Sequence, residues 1–248
     1  MSVRSTRRRG FIKLCAAATA AISARPHLLS AAAAAPLREY GRARLIHPAG
    51  ETIHADELLV GESYVFHYPY RTTPCFLINL GAPPDKSVVL ETESGDSYEW
   101  QGGVGPQNSI VAFSAICAHK MSHPARAVSF INYRADQAIF FDADKQRRKR
   151  SDVIFCCSER SVYDPRAGAK VLGGPAPQPL AAIMLDYDDA DGSLTATGTR
   201  GGEMFDQYFT KFAFRLQLEH RVSDVRLASG ETTELYSVAD YCATLVKC

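Results

Sequence analysis

The sequence predicts an all-β protein built as an antiparallel β sandwich or barrel, and three observations support this prediction. Short apolar or alternating runs recur along the chain, as is typical of short strands. Turn-forming residues such as those at 81–84 separate these runs. Helical spacing of apolar residues begins only after Gly201. Many short strands with turn signals between them are typical of antiparallel sheets.

The predicted strands follow one another along most of the chain. They are residues 64–68, 75–80, 87–90, 110–116, 138–141, 153–155, 183–187 and 194–197. After Gly201 and Gly202, apolar side chains at helical spacing predict a helix that contains Phe205, Tyr208, Phe209, Phe212 and Leu216. A second helix is predicted near residues 235–246. We therefore expect residues 201–248 to form a partly helical C-terminal arm that covers an open face of the sheet.

Composition and charge exclude several classes of protein. The chain has 248 residues, 46% of them hydrophobic, so it is neither disordered nor fibrous. The 28 basic residues nearly balance the 27 acidic ones, for a net charge of +1. There is no overall positive charge to bind nucleic acid, and we expect no nucleic-acid partner.

The N-terminal residues 1–35 predict an export signal. Arginines at positions 7–9 precede Phe11, Ile12 and an alanine-rich apolar stretch. The order Arg8-Arg9-x-Phe11-Ile12-Lys13 resembles the twin-arginine signature of bacterial proteins that are exported already folded. Small residues at 30–35 offer cleavage sites, and a leader that stays uncleaved would act as a membrane tether. The predicted location is the periplasm.

Metal-type ligands stand directly after two of the predicted strands. Strand 110–116 leads into Cys117-Ala-His119, and strand 153–155 leads into Cys156-Cys157-Ser158-Glu159. Thiolate and imidazole groups two residues apart in one loop, faced by a second thiolate loop, can close a bimetallic site. Further on, the proline-rich segment 173–180 predicts a stiff turn that could shield a cofactor from water.

These motifs, in this order, resemble those of the Rieske iron–sulfur proteins, and the resemblance covers about residues 55–200. It implies a Rieske-like domain, placed at residues 36–200, with a cluster-binding subdomain and a [2Fe-2S] cluster. Cys117 and Cys156 would be its thiolate ligands, and His119 one imidazole ligand. The residues that match hydroxyl donors to the cluster, and those of the covering turn, are Ser161, Tyr163, Gly174 and Pro175.

The fourth ligand departs from the family pattern. The family's second loop ends in Cys-x-x-His, but the count from Cys156 reaches Glu159, and the count from Cys157 reaches Arg160. The downstream Ser-x-Tyr-Asp motif favours the first register. A carboxylate can bind iron, whereas a guanidinium is a poor ligand. We therefore expect Glu159 in the ligand place, with His123 of the first loop as an alternative ligand.

Two consequences follow from the departures. A carboxylate in place of a neutral imidazole favours the oxidised cluster, so the reduction potential should fall below the range of histidine-ligated clusters. The disulfide that bridges the two loops in many Rieske proteins is missing, because its positions match Ser122 and Ser158. Both departures make a quinol-oxidising subunit of a cytochrome bc complex a poorer match.

Several features lie outside these motifs. The basic run 145–150 is either a solvated loop or a docking site for an acidic redox partner. Cys242 and Cys248 could form a disulfide that ties down the C-terminal arm. Cys75 is expected to be a buried, inert thiol, and Trp100 a packing residue.

The leading hypothesis is an exported [2Fe-2S] protein or subunit that carries single electrons. Its donor would be an oxidoreductase or a quinol, its acceptor a protein such as a c-type cytochrome, and it would catalyse no substrate chemistry alone. The second hypothesis is a Rieske domain that has lost its cluster and serves as a structural or interaction subunit. A third is a mononuclear zinc protein that uses Cys117, His119 and Cys156.

Overall fold

The computed structural model describes residues 37–84 and 87–248, and within them it confirms the all-β prediction. The predicted leader, residues 1–35, lies outside the described residues. The strands are Leu37–Ile46 (β1), Ser63–His67 (β2), Pro74–Asn79 (β3), Val88–Glu91 (β4), Ser97–Trp100 (β5), Ile110–Ser114 (β6), Ile131–Arg134 (β7), Ala138–Phe141 (β8), Arg147–Arg150 (β9), Val153–Cys156 (β10), Ser161–Asp164 (β11), Lys170–Gly173 (β12), Ala182–Tyr187 (β13), Leu194–Arg200 (β14), Thr232–Glu234 (β15) and Tyr236–Ser237 (β16).

An eight-stranded sheet forms the larger layer, in the order β15-β1-β14-β13-β6-β3-β2-β16. Neighbouring strands are antiparallel, except that β15 runs parallel to β1. Every residue of β3 and of β6 is buried, because these central strands are covered on both faces. Cys75 of β3 is buried and free, as expected.

A smaller antiparallel sheet, in the order β12-β11-β10-β7, carries the second loop and is called the loop-bearing sheet. Its strands β10 and β11 are fully buried, and the register places Cys156 opposite Ser161. The core between the two sheets contains Phe113, Ile154 and Tyr163. Trp100 is 4% exposed and packs against Phe113 in this core, which confirms its packing role.

The predicted helix after Gly201 is present as α1, Phe205–His220. Its buried side chains pack against Ile116 and Met121 of the first loop and against Tyr70. It therefore covers that loop rather than an open face of the sheet. The bond from the Lys211 ammonium to the carbonyl of Lys120, 2.9 Å long, fastens the helix there.

The second predicted helix, near 235–246, is wrong for most of its length. Only Val238–Tyr241 (α2) is helical, with the Ser237 hydroxyl as its N-cap acceptor. The preceding β15 and β16 join the edges of the large sheet instead. After Cys242 the chain is extended, because its main chain pairs with residues 126–129. No helix of the described residues is long and apolar enough to cross a membrane.

The basic run is not a loop, as one interpretation expected, because Arg147–Arg150 forms strand β9. It pairs with β8 in a two-stranded hairpin. The main-chain bonds of that pairing stabilise the strand, and its four basic side chains stay at least partly in solvent.

Candidate metal centre

Two loops and one turn meet at the end of the loop-bearing sheet. The first loop, residues 117–123, follows β6, and the second loop, residues 156–160, joins β10 to β11. The first loop is closed by its own main chain. The amide of Cys117 donates to the carbonyl of Ser122, and the amide of Met121 donates to that of Cys117, both at 2.9 Å. The proline turn, residues 174–180, joins β12 to β13 beside them.

The loops bring the thiols of Cys117 and Cys156 together in the interior, each 1% exposed. Hydrogen bonding between the two thiols lowers the pKa of Cys117 and raises that of Cys156. A buried site that already favours one thiolate suits the binding of a metal by sulfur. The register that favours Cys156 over Cys157 agrees with this placement.

Tyr163 holds the same sulfur from the opposite side. Its hydroxyl accepts a bond from the amide of Ala118 at 3.1 Å and lies 3.3 Å from the Cys117 sulfur. The contact lowers the pKa of Cys117, as expected when the hydroxyl donates to a thiolate sulfur. Burial raises the pKa of Tyr163 well above its usual value, so the hydroxyl remains a donor. Such a bond stabilises negative charge on the sulfur.

Ser161 and the proline turn complete the inner wall. Ser161 is 1% exposed, and its hydroxyl oxygen has no hydrogen-bond partner among the described residues. A buried hydroxyl without a partner is costly, which indicates that the site is built for a further group. Gly174 has φ +84° and lies so close to the main chain of Arg160 and Ser161 that a Cβ would collide with it. Pro175 lies exposed on the outside of the turn.

His119 and Glu159 form the outer side of the site. The Nδ1 atom of His119 lies 3.5 Å from a carboxylate oxygen of Glu159, and the two side chains are 24% and 47% exposed. That Nδ1 atom is buried and has no hydrogen-bond partner among the described residues. It is therefore a free nitrogen ligand that faces a carboxylate. The ammonium of Lys120 lies 3.8 Å from the other carboxylate oxygen.

The two alternative outer ligands lie elsewhere. The ring of His123 packs edge-on against Tyr208 and Phe212 of α1, and its Nδ1 lies 2.9 Å from the carbonyl of Met121. His123 thus faces the helix. Arg160 has an exposed side chain and a left-handed backbone, φ 62°, at the tip of the β10–β11 turn.

A hydrogen bond stands where many Rieske proteins have the bridging disulfide. The hydroxyls of Ser122 and Ser158 lie 2.6 Å apart and join the two loops directly. The contact keeps the geometry of that bridge without its covalent strength.

The structure contains a different disulfide, between Cys157 and Cys248, 91 residues apart. The predicted pairing of Cys242 with Cys248 is wrong, because Cys242 is buried and free. The bridge ties the second loop to the C-terminal tail, residues 243–248, which pairs in turn with the segment after the first loop. Sequence reasoning missed this tether. The feature of the sequence that pointed to it was Cys157, a second cysteine directly after the proposed ligand Cys156.

The donors are arranged as two pairs rather than as one compact cluster. Within residues 37–84 and 87–248, no three His, Cys, Asp or Glu side chains converge to hold a single metal ion. Instead a buried thiol pair lies inside and an imidazole–carboxylate pair lies outside. The unpartnered Nδ1 of His119 and hydroxyl of Ser161 fit a cluster of two irons with two ligands each, and Glu159 is the one donor of a different type from the family's.

No model of a known protein family matches the chain. A subunit of iodate reductase, IdrB of Denitromonas iodatirespirans, is 28% identical over 155 residues, which are 62% of this chain and 64% of that protein. The chain thus matches less than two thirds of the length of this curated relative.

A solved structure is also similar, the soluble domain of the Rieske protein II (soxF) of Sulfolobus acidocaldarius. It is 24% identical, with a TM-score of 0.42, and the match covers 66% of this chain and 82% of that one. The paired thiols, with the tyrosine and serine that adjoin them, have the arrangement that the resemblance to the Rieske iron–sulfur proteins implies.

Proposed function

We propose that this protein is the electron-transfer subunit of an exported oxidoreductase. Cys117 and Cys156 would hold one iron of a [2Fe-2S] cluster, and His119 and Glu159 the other. When bound, the cluster supplies a reversible one-electron change. The chain would pass single electrons between an oxidoreductase or quinol donor and an acceptor such as a c-type cytochrome.

The observation that carries this proposal is the buried thiol pair with its hydroxyl donor. A structural core has no need for two adjacent thiols that share a hydrogen bond and also contact a tyrosine hydroxyl. The Nδ1 atom of His119 supports the same proposal, since it is buried and forms no hydrogen bond with a described residue.

Each side chain then has a definite task. Tyr163 stabilises negative charge on the Cys117 sulfur, and Ser161 can donate to a cluster sulfur. The proline turn packs Ala176 against the core that contains both thiols, so it excludes water from the inner side. His119 is partly exposed and provides the short route by which an electron leaves the protein.

Export and partner are proposed on separate grounds. The twin-arginine leader supports a periplasmic location, with a membrane tether if the leader is retained. The relative is a subunit of a reductase, which supports an oxidoreductase subunit as the partner. The Glu159 carboxylate and the absent bridging disulfide make quinol the less favoured donor.

A second function, a cluster-free interaction subunit, is favoured by one observation. The Glu159 carboxylate already lies within ion-pair distance of both His119 and Lys120. These contacts would close the outer side of the site without any metal.

Metal and sulfide analysis of protein purified from its native host separates the two functions. We expect about two irons and two acid-labile sulfides per chain, with a Rieske-type EPR signal after reduction by dithionite. Absence of both iron and sulfide would contradict electron transfer and support the interaction subunit. Zinc without sulfide would instead support a mononuclear site.

A further inference from the structure

The hairpin of β8 and β9, here called the basic hairpin, has one buried and one exposed face. Ala138 and Phe140 are buried against Val153, Phe155 and Val162 of the loop-bearing sheet. Alternation along the strand directs the intervening residues of β8 outward, and these are Ile139 and Phe141.

The exposed face combines apolar and cationic side chains. Ile139 and Phe141 are 44% and 55% exposed, and the register places them opposite Lys149 and Arg147. Neither cation forms an ion pair with a carboxylate of the described residues, whereas the other two arginines of β9 pair with Asp142 and Asp164. Exposed apolar side chains flanked by unpaired charge are typical of protein interaction sites.

The basic hairpin is fixed next to the metal centre. The carbonyl of Phe141 lies against Gly173, so closely that a Cβ there would collide with it, and Gly173 directly precedes the proline turn. At the other end Arg150 pairs with Asp164, the residue after Tyr163, at 2.5 Å. A protein bound to the hairpin would therefore lie beside the site.

The charges of the chain are distributed so as to orient such a partner. Strand β13 begins next to the proline turn and ends at a turn whose exposed Asp188 and Asp189 form no ion pair with a described residue. A six-residue strand is about 20 Å long. The acidic turn thus lies at the far end of β13 from the site, which the basic hairpin adjoins. A charge separation of this kind steers an acidic protein toward the positive end.

We propose that the basic hairpin is the docking surface for a redox partner with an acidic, partly apolar face. This inference deepens the proposed function, because docking here places the partner beside the cluster. A peripheral membrane site of this type normally needs about four to eight clustered cations. The exposed face of the basic hairpin offers two unpaired cations, which favours a protein partner over a membrane surface.

The test measures binding and not electron transfer, so its result does not depend on whether the cluster is present. The probe is a purified acidic blue-copper protein, and the dissociation constant is measured by calorimetry at about 20 mM salt, where charge attraction is weakly screened. The variant Arg147→Glu/Lys149→Glu is compared with Arg42→Glu/Arg221→Glu. Both change the net charge equally, and Arg42 and Arg221 are exposed residues of other elements.

We expect the hairpin variant to weaken binding at least about tenfold and the control variant less than about twofold. Ile139→Ser/Phe141→Ser should weaken it about threefold or more, since it removes the apolar contact and no charge. Equal weakening by both charge variants, or no binding of the copper protein to the wild type, would overturn the proposal. The proposal would also be overturned if the copper protein does not bind, while anionic phospholipid vesicles retain the wild-type protein but not the hairpin variant.

Discussion

The inner and outer sides of the metal centre are built in opposite ways. The inner thiols of Cys117 and Cys156 are almost fully buried and are held by main-chain bonds, a tyrosine and the core. The outer His119 and Glu159 are partly exposed, and the Glu159 carboxylate lies within ion-pair distance of His119 and Lys120. The departures from the family pattern, at Glu159, Ser122 and Ser158, all lie on the outer side. The packing of the core constrains the residue types of the inner pair, whereas the solvent-exposed outer pair tolerates substitution.

The largest effect is expected from the adjacent cysteines of the second loop. Cys156→Ser removes a proposed inner ligand, and the iron content should fall from about two per chain to less than about a tenth of that. Cys157→Ser should keep the iron, since Cys157 is bound to Cys248. Iron analysis of both variants measures the difference. Equal iron in the two would contradict the distinction between the inner pair and its neighbour.

The disulfide between Cys157 and Cys248 should stabilise the folded protein without affecting the proposed metal ligands. Cys248→Ser opens a covalent loop of 91 residues, and we expect a loss of about 2–4 kcal/mol in the free energy of unfolding. Urea denaturation checks the value, with Cys75→Ser as a control for loss of a buried, unbridged thiol. An unchanged free energy would show that the tail is held by its hydrogen bonds alone.

The outer carboxylate should lower the reduction potential. Glu159→His replaces the proposed anionic ligand by a neutral one, and the reduction potential should rise by on the order of 100 mV. Protein-film voltammetry measures it, and Glu234→His, at an exposed position in β15, is the control. An unchanged potential and spectrum would remove Glu159 from the ligand set.

The histidines extend the comparison, because His119 lies at the site while His67 is packed in its neutral form. Burial among His220, Arg126 and Tyr241 lowers the pKa of His67 to about 3. Below pH 6.5 the unfolded chain binds a proton that the folded chain rejects. Stability should therefore fall as the pH drops from 6.5 toward 3, and is unaffected above 7.

At pH 5 the expected contribution of His67 is about 2 kcal/mol. Urea denaturation at pH 7.5 and 5.0 should show a smaller loss for His67→Gln than for the wild type. His47→Gln, at a half-exposed histidine, should behave like the wild type. If His67→Gln lost as much stability as the wild type between pH 7.5 and 5.0, other groups would be the cause of the acid sensitivity.

The smallest effect concerns the bond to the inner sulfur. Tyr163→Phe removes one donor to Cys117. This hydrogen bond contributes about 1.5 kcal/mol, so its loss should lower the reduction potential by about 60 mV. Tyr133→Phe is matched, because its hydroxyl bonds to Asp152 and not to a thiol. Equal shifts in both variants would argue against a specific bond.

The sequence predicted the inner side better than the rest. The buried strands β6 and β10 were visible as apolar runs, and each led the chain to the expected loop. Strand β9 was missed because its four basic side chains hide a strand that is stabilised by main-chain pairing. The Cys157–Cys248 pairing spans 91 residues, and local sequence carries no information about such a contact. Counting from Cys156 placed Glu159 in the proposed ligand position, but the contact of Glu159 with His119 could be seen only in the folded structure.

The asymmetry of the two ligand pairs is tested most directly by pulsed EPR of the dithionite-reduced protein labelled with ¹⁵N-histidine. We predict strong coupling to a single histidine nitrogen, the Nδ1 of His119. In the Glu159→His variant a second coupled nitrogen should appear. Two coupled nitrogens in the wild type, or none, would contradict an outer side formed by one imidazole and one carboxylate.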